Sequence, residues 1–523
     1  MTHQHRGEAI AEATQQHRRQ PSAREDVTHR SRVLRHDARM RRRTPTVRDS
    51  LVEALSVALA PDRVHTGDLA RRLFARDASV ITGGRADVVC FPTSTAEVQA
   101  CVRVARAHGR AVVTRGSGTG LAGGAVPCDE PVLVVTTKMD RIIEIDEDNG
   151  VVWVEPGVIN LDLTRALAPF GYHYAPDPSS QQSCSIGGNV ANNSGGPHCL
   201  AYGVTSAHVV AIEVVLADGS TVMLGGVEAE PCGLDLRGVF VGSEGTMGVA
   251  TKVAVRMTAN PPAIRTLLLD FMSVRDAASA VTGIIAAGVV PAAIEMMDAA
   301  ITRAVEQYVG AGYPLDAAAV LLVEVDGLPD GVAAECEIVE RVGREHHARS
   351  IRIAANEVER ALLWKGRKTA FGAIARIKPN YYLHDTVIPR TKLVEVLEQV
   401  YAIAERHDLL VMNVFHAGDG NLHPLLVYDA RDPGVLERVH AAGAEIVAAS
   451  LAAGGVLSGE HGVGLEKRKF MSQQFSVDDL DHQNRARRAF DPDNMMNPGK
   501  VLPTGASCGD VQHLDTIPAG AWL

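Results

Sequence analysis

Two histidines and a glutamate-histidine pair are the residues whose types and spacing point to chemistry. Residues 411–416 read as a strand, Gly418-Asp419-Gly420-Asn421 is a strong turn signal, and residues 422–428 resume the strand. With a four-residue loop, Ala417 opposes Leu422 and His416 opposes His423. Directly opposed residues hold their Cβ atoms about 5 Å apart on one face. Two imidazoles in register therefore converge on a common point, as ligation of a metal requires. Two nitrogens need further ligands, and Ser458-Gly-Glu460-His461-Gly-Val-Gly464 offers a carboxylate and an imidazole on a glycine-flanked loop.

A second kind of site is written in glycine. Gly118-Thr119-Gly120-Leu121-Ala122-Gly123 matches the dinucleotide fingerprint and follows a predicted strand. That fingerprint must open a crossover helix, and Gly123, Gly124, Pro127, Asp129 and Pro131 leave no room for one. The Rossmann reading fails, but its physical content survives. Arg115-Gly116-Ser117-Gly118-Thr119-Gly120 presents consecutive backbone N–H groups and two hydroxyls, which suits a pyrophosphate. Two more Gly/Ser/Asn segments occur, one from Pro176 to Pro197 and one at Gly242-Ser-Glu-Gly-Thr-Met-Gly-Val249. Three such segments in one region imply a long, polar ligand gripped through backbone.

Charge is distributed unevenly. The chain has 523 residues and a formal net charge of −10. The first 48 residues hold twelve Arg and five acids, a net of +7, so the remainder carries −17. An acidic body argues against nucleic acid as a partner, since phosphate contacts need a basic surface. The polar tail, without apolar periodicity, is expected to be disordered. Within the body, residues 365–392 contain seven bases and one acid, Asp385. Most of these bases suit a solvated helix face, yet together they could focus an anionic substrate. No stretch reaches about 18 apolar residues, so no transmembrane helix is expected. Eight cysteines without a CxxC spacing exclude a disulfide scaffold, a zinc ribbon and a conventional iron-sulfur cluster, and suit a reducing, cytoplasmic setting.

The elements that must position these residues fall into two sets. From about residue 86 to 259, short Val/Ile-rich runs (88–91, 111–114, 132–136, 151–154, 209–216, 221–224) are punctuated by glycine, with one helical pattern at 95–107. Pro261-Pro262 marks a boundary. Beyond it strand and helix alternate: 265–271, 275–287, 319–326, 331–344, 349–354, 392–406 and 409–415. The fold class is α+β, and no internal repeat is evident.

The segments RGSGTGLAGGA, PDPSSQQSCSIGGNVANNSGGPH and VGSEGTMGV resemble the FAD-binding domain of the vanillyl-alcohol oxidase type (PCMH-type) flavoproteins. With the later motifs, the chain from about residue 49 to Lys500 resembles the FAD-linked oxidases of the glycolate oxidase and D-lactate dehydrogenase kind. The resemblance implies a two-part FAD-binding domain (49–260), an α+β, ferredoxin-like substrate and metal domain (261–470), a helical segment closing on the FAD (471–501) and a tail (502–523). It places Arg115 to Gly120 on the pyrophosphate and Ser183, Gly187, Gly188, Ser194, Gly248 and Val249 along the cofactor. FAD is expected to be dissociable, because the loop 115–125 lacks the His or Cys that covalent members use.

The same resemblance assigns His416, His423 and Glu460 as metal ligands and His461 as the catalytic base. Residue chemistry agrees, because a two-histidine, one-carboxylate shell leaves positions open for a substrate hydroxyl and lowers its pKa. Zinc, manganese and iron all suit that shell. It also describes non-haem iron oxygenases, which would leave the glycine-rich half without a role. Trp364-Lys-Gly-Arg367-Lys matches the family segment whose arginine grips the substrate carboxylate, and a guanidinium fork suits it bidentately. Tyr381 and Tyr382 are further substrate candidates. Dicarboxylate-using relatives carry a lysine about where Leu383 stands, so a monocarboxylate is expected. The implied activity is FAD-dependent oxidation of a D-2-hydroxy acid to the 2-oxo acid. Electrons would pass to an iron-sulfur partner, an electron-transfer flavoprotein or a quinone; a peripheral seat at the membrane and a homodimer stay open. Two alternatives are a sugar-lactone or phenol oxidase on the same fold and a non-catalytic flavin subunit of an electron-transfer complex.

Overall fold

Three short β-branched runs, Val88–Cys90, Val112–Arg115 and Val132–Val135, each form a strand. They lie parallel, with Val132–Val135 in the middle and Val64–His65 antiparallel at one edge. The helix Thr95–Ala107 connects the first two strands; it buries Val98, Cys101, Val102 and Ala105 and is capped by the Ser94 hydroxyl. No helix separates Arg115 from Val132, so the glycine-rich stretch between them is loop and opens no Rossmann crossover helix. The computed structural model describes residues 47–227 and 233–503. The expectations for the basic tail up to residue 46 and for residues 504–523 lie outside them.

A five-stranded antiparallel sheet follows, with Val249–Arg256 between Val151–Val154 and Val209–Val215. Its inner residues pack on the helices Asn160–Leu167 and Ile186–Asn192. The second glycine-rich segment is therefore part helix rather than all loop. Ser185 caps that helix through Gly188 N–H, and Asn193 ends it in the left-handed conformation.

The chain changes sheets at Pro261-Pro262. Thr258–Ala259 still pairs with Tyr172–His173, whereas Ala263–Phe271 enters a nine-stranded antiparallel sheet and pairs residue for residue with Ala319–Gly327. Alternation sorts the side chains of Ala263–Phe271. Leu267, Leu269 and Phe271 join a core with the helices Val274–Ala286, Pro329–Glu345, Leu393–Arg406 and Val435–Ala452. Leu268 joins a second core with the helices Ala299–Val309, Glu357–Lys368 and Ala370–Ile374 on the other face. The sheet thus has helices on both faces, and strand ends and loops are left to build a site.

Candidate active site

One cavity of about 430 Å³ runs between the glycine-rich loops and the nine-stranded sheet. On one side it is lined by Gly116, Ser117, Gly118, Thr119 and Gly120, by Gly187, Gly188 and Ser194, and by Gly245 and Gly248. Side chains are not tolerated at Gly116 and Gly118 of this loop: a Cβ at Gly116 would lie 2.3 Å from Ser185 Oγ, and Gly118 adopts a φ of +76°. Asp77, which also lines the cavity, braces the loop, accepting from Ser79 N at 3.0 Å and Ala125 N at 3.3 Å. The C-terminal segment closes on the same loops. Asn497 Nδ2 donates to Gly124 O (2.9 Å) and Glu244 O (2.7 Å), and the buried Lys500 ammonium donates to Val126 O at 2.8 Å.

Three residues expected along the cofactor do not line the cavity. Arg115 turns its guanidinium away, donating to Arg76 O at 2.8 Å and lying over the Phe74 ring, so it braces the loop. Ser183 is exposed and its hydroxyl donates to Ser180 O. Val249, next to Gly248 on the strand, points into the apolar core.

The opposite wall is charged. His416 ends the strand Leu410–His416, but its partner is Asn421, not His423. The hairpin is two residues tighter than expected, because Gly420, at a φ of +79°, closes the turn directly onto Ala417 O. His423 is therefore a diagonal neighbour of His416 on the same face. Diagonal neighbours are within reach of long or aromatic side chains, and the two rings meet edge to face with centroids 5.0 Å apart. His416 Nε2 and His423 Nε2 lie 3.1 and 3.2 Å from the same oxygen, Glu460 Oε1. The His461 ring stacks on His423 at 5.0 Å, its Nε2 3.9 Å from that oxygen. All four residues line the cavity.

The far nitrogens decide what this cluster can hold. His416 Nδ1 donates to Glu295 Oε1 at 2.7 Å, and His423 Nδ1 donates to His384 O at 3.3 Å. With both Nδ1 atoms committed as donors, each Nε2 directs either a lone pair or a second proton at Glu460. A divalent ion placed between them would accept both lone pairs and balance the Glu460 carboxylate. The donor set therefore fits such an ion. Burial disfavours charge on His416, but Glu295 and Glu460 outweigh it and raise its pKa well above the usual value. Burial likewise opposes ionisation of Glu460, and His416 and His423 hold its pKa well below the ordinary range. His461 goes the other way: burial lowers its pKa to about 4 against the pull of Asp385. A neutral ring can accept a proton.

Among the described residues, Asp385, His423 and His461 form a second group with convergent atoms. Asp385 is not available as a ligand. Its buried carboxylate already accepts from Ser458 Oγ (2.6 Å), Gly459 N (3.1 Å), His461 N (3.0 Å) and Lys467 Nζ (2.9 Å). It is the anchor of the Glu460-His461 loop. From the glycine-rich side Glu244 Oε1 accepts from Val463 N at 2.6 Å, and Asn192 Nδ2 donates to His461 O at 2.8 Å. The loop is thus held by both halves of the cavity.

Arg367, 1% exposed, lies beside this cluster on the helix Glu357–Lys368. Its Nε donates to Glu295 Oε2 at 2.6 Å and its Nη2 lies 2.5 Å from the same oxygen, while Nη1 is buried without a partner. The edge expected to clasp a substrate is thus already bound, and Nη1 is the group left for a ligand. Tyr381 lines the cavity with Phe371 and Leu383, its ring stacked on Phe371. Tyr382 does not. Strand alternation turns it into the core against His384, where its hydroxyl meets the buried Glu466. Glu295, Asp385, Glu244 and Asn192 were not singled out as site residues from the sequence. The one signal was Asp385, the lone acid in a basic segment.

Comparison with known proteins agrees with this architecture. Residues 86–225 match the family described as FAD binding domain, and residues 260–501 match that of FAD linked oxidases, C-terminal domain. The chain is 45% identical to the glycolate oxidase subunit GlcD of Escherichia coli over 423 residues, covering 81% of this chain and 85% of that one. It is 37% identical to the Bacillus subtilis subunit of the same name (88% and 98% covered). It is 30% identical to a D-lactate dehydrogenase of Anaerostipes hadrus (85% and 95%). Among solved structures, p-cresol methylhydroxylase with substrate bound shares the fold at a TM-score of 0.75 and 17% identity, covering 87% of this chain and 96% of that one. The chain belongs to the FAD-linked oxidases, and it is an oxidoreductase related to glycolate oxidase and the D-lactate dehydrogenases. Among the described residues no helix is long and apolar enough to cross a membrane.

Proposed function

We propose, with membership of the FAD-linked oxidases as the premise, that the chain oxidises a D-2-hydroxy monocarboxylic acid of the glycolate or D-lactate type to the 2-oxo acid. One observation carries the reading. A single cavity wall brings together an unpaired buried guanidinium nitrogen, two imidazoles sharing one carboxylate oxygen, and a third imidazole stacked on the second. When bound, FAD along the glycine-rich loops supplies a two-electron acceptor, and a divalent ion at His416, His423 and Glu460 supplies a Lewis acid for the substrate hydroxyl.

The chain's own residues bind, orient and move the proton. Arg367 Nη1 takes the carboxylate, and His461 takes the hydroxyl proton on its ring nitrogen. Phe371, Tyr381 and Leu383 form an apolar wall. Lys368, a second cation on the wall, is paired with Asp177 at 3.1 Å, so a single carboxylate satisfies the site. We assign residues 49–260 to flavin binding, 261–470 to substrate and metal, and 471–501 to closure of the flavin loops. FAD is taken as dissociable, the chain as cytoplasmic, and the electron acceptor as an iron-sulfur partner, an electron-transfer flavoprotein or a quinone.

The test is His461→Ala. The variant is expected to keep FAD and metal content while turnover falls about 10²- to 10⁴-fold, the range for loss of a positioned base. Turnover close to that of the unaltered enzyme removes His461 from the reaction.

A further inference from the structure

Among the described residues, Glu295 is the single acid that contacts both Arg367 and His416. It lies in the strand Ala293–Asp298, 1% exposed, and does not line the cavity. One oxygen, Oε2, accepts from Arg367 Nε at 2.6 Å with Arg367 Nη2 at 2.5 Å; the other, Oε1, accepts from His416 Nδ1 at 2.7 Å. The backbone sets this up, because Glu295 and His416 are direct partners across two antiparallel strands. We infer that Glu295 is a positioning residue that couples the carboxylate-binding arginine to the metal-binding histidine.

Its two oxygens do different work. At Oε1 it fixes the His416 tautomer, keeping the proton on Nδ1 so that Nε2 presents its lone pair to an ion. At Oε2 it holds the Nε and Nη2 edge of Arg367, so that the unpartnered Nη1 is the atom that faces a ligand. A buried carboxylate is tolerated only when its charge is compensated. Here both compensating groups belong to the site, so neither can shift without disturbing the other. A glutamine in this position cannot substitute. Its oxygen can accept from one of the two donors, and its NH₂ then faces the second donor.

The inference rests on the proposed function, and the experiment separates the two. Metal-free holoenzyme of the unaltered chain and of Glu295→Gln is titrated with zinc alone and with manganese alone. The KM for D-lactate is then measured at saturating metal. For Glu295→Gln, metal affinity is expected to fall 10- to 100-fold, and KM at saturating metal is expected to rise several-fold while kcat changes less. A purely structural role would lower the thermal midpoint and leave both constants unmoved in the folded protein. If Glu295→Gln does not fold, judged by its FAD content, Glu295→Asp is used. It keeps the charge with a shorter reach, and a smaller shift of both constants is expected. Folded variants with unaltered metal affinity and KM overturn the coupling and leave the proposed function standing. An unaltered chain that binds neither ion overturns the metal reading and the coupling together.

Discussion

The two walls of the cavity are built on opposite principles. The glycine-rich wall works by leaving side chains out: Gly116, Gly118, Gly187 and Gly188 bring backbone to the surface, and a Cβ at Gly187 would meet the backbone and ring of Pro156. The facing wall works by burying charge. Arg367, His416 and Glu460 on the wall are backed by Glu295, Asp385 and Lys467 behind it, Glu460 reaching Asp385 through its backbone N–H, in one chain of buried contacts. The first wall needs each residue only to be small; the second needs each charge to find a partner. Backbone can grip a long polar cofactor without regard to one atom's position, whereas proton removal and metal ligation depend on the placement of single atoms.

If that contrast holds, damage to the charged wall should cost most. Asp385→Asn leaves the buried Lys467 ammonium without its counter-charge and withdraws an acceptor from the Glu460-His461 loop. Breaking a buried pair in this way costs about 3–5 kcal/mol, and thermal unfolding should show it together with weaker metal binding. On the glycine-rich wall the expected loss is smaller and of another kind. Gly116→Ala drives a methyl into Ser185 Oγ and should cost about 1–3 kcal/mol of strain, read as weaker FAD binding with metal affinity unchanged. Equal loss of metal from Gly116→Ala would erase the distinction between the walls.

The contrast also explains what was legible in the sequence. Glycine, serine and turn signals are local, so the segments that hold Gly116 to Gly120, Gly187, Gly188 and Gly248 could be found without knowing the fold. So could the short runs at 88–91, 111–114, 132–136, 151–154, 209–216 and 221–224 and the strand at 265–271, whereas Val249–Arg256, central in its sheet and interrupted by Thr251 and Lys252, does not stand out. The partners of the charged wall cannot be read that way. Glu295 meets Arg367 across 72 positions and His416 across 121. Its strand Ala293–Asp298 is buried throughout, so it shows no alternation and merges with the apolar run before it. The hairpin shows both limits at once. Both imidazoles belong to one face, as expected, but the register differs by two residues because the Gly420 turn is tighter than a four-residue loop. Arg115, Ser183 and Val249 lie in the right segments, yet side-chain direction takes them away from the cavity.

A weaker, pH-dependent effect should appear where the two halves meet. His198, from the glycine-rich half, contacts Asp177 at 2.9 Å and Glu324 of the nine-stranded sheet at 3.2 Å. Burial works against its charge, but the two carboxylates raise its pKa to about 10. A raised folded-state value means that this stabilisation is complete below the unfolded value of about 6.5 and is lost as pH climbs through 10. The thermal midpoint should fall between pH 7 and pH 10.5, and His198→Gln should flatten that fall. An identical profile in the variant would remove His198 from the account.

The central claim is that the charged wall is shaped for a 2-hydroxy monocarboxylate. Anaerobic mixing of the FAD-loaded enzyme with a panel of D- and L-2-hydroxy acids, dicarboxylic hydroxy acids, phenols and sugar lactones tests it most directly. D-2-hydroxy monocarboxylates or glycolate should bleach the visible flavin band fastest, and Arg367→Lys should blunt that preference. Bleaching only by phenols or lactones, or by nothing in the panel, would contradict it.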